Sequence, residues 1–133
     1  MIFDILRDKL VAAELGIPGK TLFLNAMPGD VAIGIMLKSP IQGIRIDHEL
    51  PGYYDPSLQV IVRHGDPVKG AALADQVQRC LTVDKRERHD ATAERGAVQI
   101  NQFLPAHTPI QFPRMNGGGI EWSLNFRTSF AIA

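Results

Sequence analysis

Cysteine is nearly absent from this chain: Cys80 stands alone among 133 residues. A lone cysteine excludes a disulfide within the chain and any zinc site built on a Cys-x-x-Cys pair. Net charge is missing too, because fourteen Lys and Arg balance fourteen Asp and Glu. Proteins that coat nucleic acid carry a basic excess, so that class is set aside. No stretch reaches the ~20 apolar residues of a membrane-spanning helix. Asp4, Arg7, Asp8 and Lys9 stand where a signal peptide needs an apolar run, which predicts a soluble protein made in a cytoplasm.

What is present suffices for a core. Hydrophobic residues make up 45% and charged residues 21%, a balance that excludes wholesale disorder. The length fits a single domain over 1–133, since domains cluster near ~100–150 residues.

Phe3, Leu6, Leu10 and Ala13 recur at helical spacing, with Ile2 and Ile5 widening the stripe. Gly16 is the expected left-handed cap and Pro18 stops continuation, which predicts a helix from Ile2 to Leu15. Asp66 is placed to cap a second helix, with Pro67 at its first position. Its expected apolar face is Leu73, Val77, Cys80 and Leu81, and Gly70, Ala71, Ala72 and Ala74 permit close approach. The rest reads as strand. From Ile120 to Ile132 apolar residues alternate with Glu121, Ser123, Asn125, Arg127 and Ser129, predicting a long antiparallel strand with one wetter face. Val31, Ile33, Ile35 and Leu37 repeat the signal, as do Val98, Ile100 and Leu104. Leu58 to Arg63 suits a central strand, with shorter candidates at Thr21 to Asn25 and Gly43 to Asp47. Two helices packed on a mainly antiparallel sheet make a two-layer α+β sandwich.

Residues 84–95 carry four cationic and four anionic side chains and no large apolar one. Two readings fit: a mobile, solvated loop, or an arm that orders against a partner.

Catalytic motifs do not assemble. Gly19-Lys20-Thr21 matches the end of a phosphate-binding loop, but the required earlier glycine is Glu14 and a strand follows instead of a helix. Asn116-Gly117-Gly118-Gly119 precedes a strand, as a hairpin tip or bulge does and a dinucleotide loop does not. Asp47-His48-Glu49 supplies acid–base groups, yet His64, His89 and His107 are scattered and no His-Glu-x-x-His accompanies them. Cys80 sits on an apolar stripe and reads as a small core residue. No Gly-x-Ser-x-Gly elbow is present. Tyr53 and Tyr54, the only tyrosines, follow Pro51-Gly52. Either one packs on the core while the other covers an edge, or both serve as interface anchors.

Glu49-Leu50-Pro51-Gly52-Tyr53-Tyr54, the strand Leu58-Gln59-Val60-Ile61-Val62-Arg63, and a capped helix with Ala71, Ala72, Ala74, Val77 and Leu81 together resemble the tail terminator and minor capsid (head–tail joining) families of long-tailed bacteriophages. The resemblance covers Glu49 to Thr82 closely and the remainder in element order. It implies a structural virion protein without catalysis, metal or cofactor. Such a subunit closes into a hexameric ring on the tail tube, stops tube growth and meets the head connector, with DNA passing through the lumen unbound. Within that picture Tyr53 and Tyr54 are interface anchors. Lys85, Arg86, Arg88 and His89 meet a partner, and Arg114 and Asn116 lie on a hairpin at a ring surface. The alternatives are another tail or neck part, such as a tube subunit or head completion protein, and a small metal- or ligand-binding enzyme around Asp47, His48 and His64.

Overall fold

The computed structural model describes residues 2–113 and 119–133. Its longest strand, β8 (Ile120–Ile132), organises everything else. β8 is flanked on both sides along most of its length. Trp122 pairs with Val62 of β4 (Ser57–His64) on one side and with Gln111 of β7 (Ile110–Gln111) on the other. Further along, Phe130 lies between Tyr54 of β3 (Tyr53–Tyr54) and Ile100 of β6 (Val98–Pro105). The alternation expected from the sequence holds, with Trp122, Leu124, Phe126 and Phe130 buried on the core side. The other face is drier than expected. Ser123 and Ser129 are buried there, their hydroxyls bonded to the Gln59 amide and the Tyr53 phenol.

The sheet runs β1-β2-β4-β8-β6-β5, with β1 (Leu22–Leu24), β2 (Gly34–Lys38) and β5 (Glu87–His89), and every pair but β1–β2 is antiparallel. This curled, mostly antiparallel sheet carries two helices, α1 (Phe3–Ala12) and α2 (Pro67–Leu81), which is the α+β architecture expected from the sequence. The core fills the space between them. Ile5, Leu6 and Leu10 of α1 and Ala74, Val77 and Leu81 of α2 pack onto the apolar side chains of β4, β6 and β8. Burial of this kind supplies the main favourable term in folding.

α2 begins as expected, with the Asp66 carboxylate accepting from the Val68 and Lys69 amides. Those backbone bonds, that from Lys69 first, hold its carboxyl below the usual range. Of the small residues only Gly70 and Ala74 are buried, while Ala71 and Ala72 face solvent. Gly70 presses against Trp122: an added Cβ would lie 2.1 Å from the indole Cη2.

Four expectations need correction. First, α1 ends at Ala12, and its left-handed residue is Glu14 (φ 59), not Gly16. Leu15 N–H donates to Leu10 O and Glu14 N–H to Val11 O, the paired bonds of a helix stop built on a left-handed residue. Gly16 serves by its size, since a Cβ there would meet the Leu22 Cβ at 3.0 Å. Glu14→Gly is expected to stabilise the fold by about 0.5–1 kcal/mol, read as a higher urea midpoint, because a side chain strains that conformation.

Second, β2 starts at Gly34, leaving Val31 and Ile33 outside it. Val31 is tied into a turn on Pro28 O, and its own carbonyl is taken by the Arg63 guanidinium, so neither joins the ladder. Third, no strand forms over residues 43–47: Gly43 is left-handed (φ 76) and closes a turn on Pro40 O. Fourth, a bulge between Ile100 and Gln102 flips the alternation of β6. Phe103, and not Leu104, is therefore fully buried, its ring 4.7 Å from that of Phe126.

Candidate assembly surfaces

Residues 84–95, read from sequence as a loop, contain edge strand β5 and are pinned to α1 at two places. Glu87 receives Lys9 Nζ at 2.7 Å, with His89 Nε2 at 2.6 Å from the same oxygen. Arg95 grips Asp4 through Nε and Nη2, both 3.0 Å from Oδ2, and its Nη1 donates to the carbonyls of Asp90 and Gly96. Burial pushes the Asp4 and Glu87 carboxyls upward, but these cationic partners outweigh it and hold both below the usual range. Lys85, Arg86 and Arg88 are exposed. His89, grouped with them by sequence, is half-buried and faces Glu87.

Tyr53 and Tyr54 take opposite faces of β3. The Tyr53 hydroxyl hydrogen-bonds the Ser129 hydroxyl at 2.8 Å, and the Tyr54 ring lies 5.5 Å from that of Phe130 against the core. Both residues are half-buried. Arg114 and Asn116 lie outside the described residues.

The residues suggestive of chemistry are held in local turns. Asp47 Oδ1 accepts from the Glu49 amide, and His64 Nδ1 accepts from the Asp66 amide at the start of α2. Among the described residues no three or more His, Cys, Asp or Glu side chains gather as a metal site. Gly19-Lys20-Thr21 forms a tight turn in which Lys20, Thr21 and Leu22 all donate to Ile17 O, and it runs into β1. Cys80 is half-buried, its thiol against Lys9 O at 3.4 Å; burial raises its pKa more than the Lys9 charge lowers it. A thiol so placed is a packing residue, not a nucleophile.

Sequence reasoning missed a groove. About 770 Å³ of open space lies beside β1, floored by Phe3, Leu22, Phe23, Leu24 and Leu37. Its rim carries Asp4, Arg7, Asp8, Glu94 and Arg95. Strands β1 and β5 stand at opposite ends of the strand order, with Leu22 of β1 also bridged to Pro18 of its own chain. Both are places where another chain can add to the sheet.

Residues 9–132, nearly the whole chain, match the family described as bacteriophage tail terminator protein. The chain belongs to that family. No curated protein matches it individually. Tail terminators are structural and not enzymatic, so this chain is a component of the phage tail that works with other tail and head proteins. The residues that carry the resemblance lie in the middle of the terminator: the Tyr53-Tyr54 strand, β4 and α2. No helix among its described residues is long and apolar enough to cross a membrane.

Proposed function

We propose that this tail terminator closes into a hexameric ring on the last ring of the tail tube, stops tube polymerisation and presents the interface to the head connector. The observation that carries this reading is a family match over nearly the whole chain, on a sheet whose strand order ends in two dissimilar strands. A ring grows by head-to-tail contact and closes by rotation, so each subunit needs two different patches. β1 is parallel and apolar, with Leu24 exposed; β5 is antiparallel and charged. Lys85 and Arg86 just before β5, and Arg88 within it, meet the tube or the connector, and His89 supports them by holding Glu87. Tyr53 and Tyr54 anchor an adjoining contact through their exposed edges. DNA passes through the lumen without specific binding, since phosphate affinity grows with each cationic contact and the net charge is zero. The protein acts in the tail and neck of the virion, after assembly in the host cytoplasm, with neither catalysis nor cofactor.

The test is the solution mass of the purified protein, with negative-stain images of it alone and mixed with tail tubes. Hexameric rings, free or seated on tube ends, support the reading. An open polymer indicates a tube subunit instead. Arg86→Glu with Arg88→Glu is expected to lower infectious titre by at least about tenfold, as charge reversal at a contact does, while thermal unfolding is unchanged. An unchanged titre removes these arginines from the contact.

A further inference from the structure

No side chain between Val83 and Val98 belongs to the hydrophobic core, and none of residues 84–95 is buried. Both ends of this stretch are fixed. Val83 exchanges two backbone bonds with Phe103, donating to its O at 2.8 Å and accepting from its N–H at 2.9 Å. At the other end Ala97 O accepts from the Ala133 amide, and Val98 pairs with Ile132 of β8. Between these anchors the holding contacts are polar. β5 shares its register with β6 only from Glu87↔Ile100 to His89↔Val98.

We propose that residues 84–95 are a strap that opens as one unit while the core stays folded, with two ion pairs to α1 as its latches. The inference goes beyond the ring reading and does not depend on it. One latch is Lys9 to Glu87, in the last turn of α1; the other is Asp4 to Arg95, in its first. Neither is sealed from water, since the Glu87 and Asp4 side chains are each 34% exposed. A few polar contacts, set against the backbone freedom the stretch regains, make opening far cheaper than unfolding the core. The two halves are also joined. Arg95 Nη1 donates to Asp90 O and Thr92 N–H to Arg95 O, which ties the second latch back to the end of β5.

Opening changes what the subunit presents. β5 covers the outer edge of β6 at Val98, Gln99 and Ile100, and that edge is bared when the strap leaves. An unpaired strand edge is a template for another chain, so the strap is a removable guard on this side of the sheet. Lys85, Arg86 and Arg88 are carried on it, so any contact made through them is made by a moving part.

The experiment is native-state amide exchange, followed by NMR over a urea series on the full chain. The amides of β5 and of Thr92 should exchange at least about a hundredfold faster than those of β4 and β8. Their exchange should barely respond to urea, because no core side chain is exposed with them. Two latch variants, Lys9→Met and Arg95→Met, each keep much of the side-chain volume and remove the cation. Each should speed the β5 amides and Thr92 alike, by about five- to tenfold, whichever latch is cut. The telling readings are Thr92 in Lys9→Met and β5 in Arg95→Met, where the reporter lies away from the substitution. Circular dichroism of both variants should match the wild type. A variant that speeds only its own half of the strap divides it into two separate frays and overturns the single unit. Strap amides that exchange only at the rate and urea slope of β4 and β8 overturn the opening altogether. Either result leaves the ring reading standing.

Discussion

Gly70→Val is expected to cost at least about 3 kcal/mol of folding free energy, and Gly70→Ala about 2. The Cβ of any other residue at 70 would fall 2.1 Å from Trp122 Cη2, 2.4 Å from Cζ3 and 2.9 Å from the His64 Cβ. Trp122 cannot swing aside, because its ring is 2% exposed and its backbone pairs with β4 and β7 on both sides of β8. α2 must then lift from the sheet, loosening the contacts of Ala74 and Val77 as well. Alanine recovers about 1 kcal/mol through its better helix propensity, and valine recovers little, which sets the order of the two variants. Urea denaturation gives the magnitudes. Trp122 is the only tryptophan in the chain, so its fluorescence reports on this contact directly. A Gly70→Ala protein as stable as the wild type would show that helix and sheet do not meet here.

The same contact shows what a sequence can and cannot reveal. Asp66-Pro67 announces the start of α2, and alternation from Ile120 to Ile132 announces β8, because caps and periodicity are local. Gly70 could be read as a close-approach glycine, but Ala71 and Ala72 look equivalent until the helix is docked and only one face is covered. Strand β5 was illegible for a different reason. It is ordered by its ladder to β6 and by the ion pair of Glu87 to the distant Lys9, with Arg95 to Asp4 pinning the segment that follows, and not by apolar side chains of its own. The bulge after Ile100 hid the exchange of Phe103 for Leu104, since one extra residue reverses every later position. The β1 groove was out of reach altogether. Phe3, Leu22, Leu37 and Glu94 come from four separate segments, and none is unusual in its own neighbourhood.

Arg63→Met is expected to cost about 3 kcal/mol, the lower end for breaking a buried ion pair. Arg63 closes the sequence signature Gln-Val-Ile-Val-Arg and is only 8% exposed. Its Nε and Nη2 reach Glu121 Oε2 at 3.1 and 3.0 Å, while Nη1 donates to Pro28 O at 2.9 Å and Val31 O at 3.2 Å. One guanidinium therefore joins β4 to its neighbour β8 and also latches the turn that leads from β1 into β2. Methionine keeps much of the volume and removes every donor, leaving a half-buried carboxylate and two carbonyls to find water. Adding Glu121→Leu should recover about half of the loss, because an unpaired carboxylate costs more than an absent one. Amide exchange separates the two roles. If the latch matters, protection of the Val31 amide, which donates to Pro28 O, should fall further than global destabilisation explains. The same turn helps set the position of β1, so Arg63→Met should also weaken ring assembly beyond its effect on folding. Equal protection of Val31 and unchanged assembly in a folded Arg63→Met protein would confine Arg63 to the ion pair with Glu121.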